Sequence, residues 1–135
     1  MAFINDSRKP SGVGQVITAG VLLAATPVVS SVIDVQTRKK LGLRFDLTRV
    51  AATSVIWHLL GSTNGTDFSR VPSNRDDGTP PNTTMLDGNF QRTGIGADDD
   101  WFHDEIDVAS LRAVQVVVDS VAGTTDTVDV DAYAE

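Results

Sequence analysis

A chain of 135 residues is long enough for one compact domain and too short for two. With 41% apolar and 21% charged residues the composition is globular, which excludes wholesale disorder, and the absence of cysteine excludes disulfides and thiolate chemistry. A net charge of −7 argues against general nucleic-acid binding, where cations must neutralise phosphates.

Residues 1–12 are polar, show no apolar period and close on Pro-Ser-Gly, so they are expected to form an N-terminal arm. Phe3 and Ile4 are its apolar anchors, and Arg8 and Lys9 are the cations that would pair with acids on a partner. The rest, 13–135, reads as a single domain. Arg8-Lys9 ahead of the apolar run Val16 to Val29 imitates the start of a signal peptide. Thr18, Gly20, Thr26 and Pro27 interrupt that run, and it is too short to span a bilayer, so no membrane role is expected.

Val13 to Leu23 and Val28 to Val35 read as the first two strands, separated by Ala-Thr-Pro. Leu41, Leu43, Phe45 and Leu47 then alternate with Gly42, Arg44, Asp46 and Thr48, which puts four apolar side chains on one face. From Ala51 to Ser62 the pattern repeats with Val55, Trp57 and Leu59 inward, while Ile56, His58 and Leu60 suggest cover on the second face too. Asn64-Gly65 predicts a type I′ hairpin returning through Phe68 to Val71.

Residues 72–104 read mainly as a long acidic loop region, rich in Pro, Asn, Asp and Gly at its start, with a short strand expected between Met85 and Arg92. Asp104 to Val108, Leu111 to Val118 and Thr127 to Ala134 complete about eight strands. One helical turn is plausible, over Asp107 to Leu111. The pattern predicts an all-β antiparallel sandwich, jelly-roll-like, with its core drawn from Leu41, Leu43, Phe45, Leu47, Val55, Trp57, Leu59, Val114, Val116, Val128 and Val130.

Catalytic machinery is not visible. His58 and His103 are the only histidines, no nucleophile elbow accompanies either, and no glycine-rich loop opens a helix, so neither an enzyme nor a cofactor is expected. Asp98, Asp100 and Asp104 offer hard oxygens of the kind calcium takes. Their spacing is not that of an EF-hand, and a solvated acidic loop pinned by Trp101 and Phe102 explains them as well. Trp57 and Trp101 could form a sugar-stacking platform or simply pack. Asn64-Gly-Thr66 and Asn82-Thr-Thr84 match the glycosylation pattern and equally match turn chemistry. Charge is unevenly spread: residues 1–50 carry seven Lys/Arg against three acids, residues 51–135 four against fifteen. That split would let one copy's basic half meet a neighbour's acidic half, or it is a solubilising surface.

The segments Val32-Ile-Asp-Val35, Leu41-Gly-Leu-Arg-Phe-Asp-Leu47 and Ile56-Trp-His-Leu-Leu-Gly-Ser-Thr-Asn-Gly-Thr-Asp-Phe68 resemble small β-sandwich virion structural proteins of tailed bacteriophages, as does the closing strand Thr127 to Tyr133. The likeness covers about half the chain and omits 72–104. It implies a capsid decoration or cement protein, or else a neck or tail subunit, located in the virion after assembly in the host cytoplasm. Its implied partners are the major capsid protein or other virion proteins and copies of itself, as a trimer or another symmetric order. An extracellular carbohydrate-binding module is the reading from another class.

Overall fold

The computed structural model describes residues 11–23, 26–71, 83–86, 89–120 and 125–135, the side chains of 11–13, 83–86, 89 and 120 excepted. Eleven strands and no helix occur among them: β1 Ser11–Leu22, β2 Val28–Val29, β3 Ile33–Asp34, β4 Lys40–Thr48, β5 Val55–Ser62, β6 Ser69–Arg70, β7 Thr83–Leu86, β8 Asn89–Arg92, β9 Asp99–Asp107, β10 Ala113–Ser120 and β11 Asp126–Ala134.

They form two antiparallel sheets, one in the order β1-β11-β4-β9 and one in the order β2-β10-β5-β8-β7, with β3 also on β10 and β6 also on β5. The chain is an all-β sandwich. Alternation decides which side of each sheet is dry. Register places Ile17 beside Val130, Val130 beside Phe45 and Phe45 beside Trp101, one apolar row across all four strands of the first sheet. Facing it, Trp57 lies between Val118 and Phe90 in the second sheet. All eleven expected core residues are buried, Phe45 and Trp57 completely. Burying such a side chain is worth about 1.5–3 kcal/mol relative to leaving it in water.

Phe45, Trp57, Phe90, Trp101 and His103 make an aromatic centre, with Phe45 stacked on Trp101 at 5.2 Å and tilted against Trp57 at 4.6 Å. His103 belongs there because its Nδ1 accepts the Trp57 Nε1–H at 3.0 Å, which satisfies the one polar atom of a fully buried indole.

Several expectations are corrected. The second strand is two short ones, both pairing with β10. Of the expected acidic loop region, 72–82 lie outside the described residues. The one short strand expected between Met85 and Arg92 is a hairpin of two, β7 and β8, and the acidic stretch from Asp99 onward is a nine-residue strand on β4 rather than loop. Asp99 and Asp100 are tolerated there because cations from neighbouring strands meet them, Arg92 at 3.0 Å and Arg44 at 2.8 Å. Trp101 is buried as expected. Phe102 is not: it faces the other side of the strand and is 52% exposed. Two β9 residues, Asp104 and Glu105, against the single Gly42 of β4 make a bulge between His103 and Ile106, with Glu105 at φ 59. Residues 107–111 form a turn closed by Leu111 N–H to Val108 O rather than a helical turn. The predicted hairpin after β5 exists, but its loop is longer than two residues and only Gly65 has positive φ. Finally, β1 begins at Ser11, so the last two residues of the expected arm are strand.

Candidate functional site

The partner-binding candidates Phe3, Ile4, Arg8 and Lys9 lie outside the described residues, as do Asn82 and the Pro-rich stretch before it. Asp98, Asp100 and Asp104 are not brought together as a metal site. The Asp98 carboxylate accepts the Arg49 N–H at 2.8 Å, and the Asp100 carboxylate takes the Arg44 guanidinium. Among the described residues no group of three or more His, Cys, Asp or Glu is placed to hold a metal ion.

The histidines take up structural positions. His103 is in the aromatic centre, and since its Nδ1 accepts from an indole, its proton sits on Nε2. His58 lies on the outer face of the larger sheet with Nδ1 3.5 Å from Asp119. Burial, and then the Arg70 charge, push its pKa below the ordinary histidine value, against the pull of Asp119. At neutral pH it is therefore an uncharged imidazole built into a sheet face. The Trp101 Nε1–H is buried without a hydrogen-bond partner, while the Arg92 guanidinium sits 5.6 Å from its ring. With Trp57 at 0% and Trp101 at 5% exposure, neither presents a ring face for a sugar.

What the structure assembles instead is a charged sheet face. Outward positions of β11, β4 and β9 are in register: Asp129 lies opposite Asp46, and Asp46 opposite Asp100, so three carboxylates stand side by side across three strands. Like charges directly opposite destabilise a sheet. Arg44 is the local remedy, 2.8 Å from Asp100 and 3.9 Å from both Asp46 and Asp131. Asp131 is nearly buried on this face, and burial raises its pKa while Arg44 works the other way. Asp129 is also used structurally, accepting the Ala19 N–H at 2.6 Å where β1 kinks through φ 48. The alternation of Arg44 with Asp46 and of Asp129 with Asp131 was visible in sequence; that these acids would line up was not, because strand pairing joins residues 54 and 83 apart.

A second device is Asp126. Completely buried, its carboxylate accepts the N–H groups of Val50, Ala51 (2.8 Å) and Ala52 (3.0 Å) and so fixes the turn between β4 and β5. Arg49 extends the clamp by donating to the carbonyls of Ala52 at 2.8 Å and Gly96 at 3.3 Å.

Fold and geometry thus define an all-β sandwich whose polar groups, where described, serve packing, turns and charged surface. No protein-family model matches the chain, and no curated protein matches it.

Proposed function

We propose that this chain is a non-enzymatic structural protein of a virion, a decoration or cement protein that binds the outside of a phage head and stabilises it. The strand order carries this reading. Taking β2 with β3, and β8 as the partner of β5, the chain moves from sheet to sheet so that β1-β11-β4-β9 faces β2-β10-β5-β8. That order supports a jelly-roll winding in this proposal, an architecture that serves viral capsid and lectin domains. Burial of both tryptophans weighs against the lectin-like alternative. The acidic sheet face supports a protein partner over a nucleic acid, since it repels phosphates and attracts basic protein surface.

The N-terminal arm is the attachment element in this proposal, fixed through Phe3 and Ile4 with Arg8 and Lys9 pairing to acids on the shell or on a second copy. The test adds purified protein to heads that lack it and measures retention by sedimentation. The full chain is expected to bind saturably, and a variant lacking residues 2–9 to melt at nearly the same temperature while binding at least ten times more weakly. Absence of saturable binding by the full chain overturns the decoration reading. Equal binding by the truncated variant overturns the arm's role.

A further inference from the structure

The loop joining β5 to β6 contains Asn64-Gly65, the dipeptide most prone to spontaneous deamidation because glycine leaves the backbone nitrogen sterically open. In that reaction the Gly65 nitrogen loses its proton and attacks Asn64 Cγ. A C–N bond forms, the Cγ–Nδ2 bond breaks, and the side-chain nitrogen leaves as ammonia with the displaced proton. Water then opens the resulting succinimide to aspartate or isoaspartate, with no oxidant or reductant involved.

Every atom that must move is held. The Gly65 N–H donates to Ser62 Oγ at 2.8 Å, so the attacking nitrogen is engaged through its proton. Asn64 Oδ1 accepts from Ser62 Oγ (2.9 Å), Thr66 N–H (2.8 Å), Thr66 Oγ1 (3.1 Å) and Asp67 N–H (2.9 Å). The leaving nitrogen, Nδ2, donates to Asp67 Oδ2 at 2.8 Å. Swinging Cγ onto the Gly65 nitrogen breaks this set together. The loop base is anchored too, by Arg112 N–H donating to Ser62 O at 2.8 Å.

We propose that Asn64 is a latent modification site, closed in the folded chain and opened only when residues 62–67 open. The reaction would be one-way in its effect. A carboxylate at position 64 keeps the acceptor oxygen but replaces the donor to Asp67 with a second anion, so that one bond cannot re-form and like-charge repulsion takes its place, and a loop once opened and deamidated stays loosened. Nothing in this depends on the virion reading.

The test follows deamidation at Asn64 by peptide mapping and mass spectrometry at mildly alkaline pH, in the native protein and in the same protein held in denaturant. The native chain is expected to react at least tenfold more slowly. Ser62→Ala, which removes the acceptor for Gly65 N–H and a donor to Asn64 Oδ1, should react at least threefold faster than the native chain while keeping its circular dichroism spectrum. Should Ser62→Ala fail to fold, Asp67→Ala, which frees Nδ2, serves the same comparison. Equal rates in native and denatured protein overturn the proposal, as does a folded loop variant that reacts no faster than the parent.

Discussion

Removing Asp126 should cost this protein far more than a surface aspartate would. In Asp126→Ala three backbone N–H groups lose a charged acceptor. Ala52 is buried, so its N–H finds no water and the loss there is about 1–3 kcal/mol. Val50 and Ala51 are exposed, so their amides turn to solvent and each forfeits only a net bond, about 1 kcal/mol apiece. Relief of the carboxylate's own desolvation returns part of that sum, leaving a net loss of about 3 kcal/mol. For a domain of this length that corresponds to a fall in Tm of roughly 10 °C. Asp126→Asn keeps the shape but aims an amide N–H2 at groups that are themselves donors, so it should recover at most half the loss. Urea unfolding followed by far-UV circular dichroism gives the free energies, and hydrogen exchange at residues 50–52 localises them. A loss under about 1 kcal/mol for both variants would refute the clamp.

His103→Phe keeps ring volume in the aromatic centre but strips the acceptor from the Trp57 indole, and should cost about 1–3 kcal/mol with a change in tryptophan fluorescence; a variant as stable as the parent would remove the role given to that bond. Asp131 gives a pH test. Because burial raises its folded pKa above the ordinary 3.8, the folded state holds the proton more tightly than the unfolded chain, and stability is lost as pH rises from the ordinary carboxylate range through the folded value. Asp131→Asn should therefore melt higher than the parent at about pH 7 and no differently at about pH 3, where both states are protonated; a lower melting temperature at neutral pH would mean that the Arg44 attraction outweighs burial.

Much of this architecture was present in local pattern. Strict alternation in Leu41 to Leu47 and in Val128 to Ala132 named the inward residues, because period two leaves only one choice of buried face. The same logic failed over 99–104, where an outward Phe102 and an inward His103 break the apolar-polar rhythm and three aspartates imitate a loop. Pairing with β4 and burial of Trp101 and His103 make that segment a strand, and cations supplied by β4 and β8 meet its aspartates. Asn64 shows the same limit at short range, since Asn-Gly announced a hairpin but the Ser62 and Asp67 bonds set its form.

What the sequence by itself determined is the class of fold and the content of its core, since hydrophobic burial is read from periodicity along one strand. What only the tertiary structure decided is where the charges meet. Arg44 faces Asp100 and Asp131, and Asp126 reaches Val50 to Ala52, across separations of 56 to 87 residues that no local pattern encodes. Those meetings follow from which strand lies beside which, and strand order is settled by packing two sheets together rather than by any one strand's sequence.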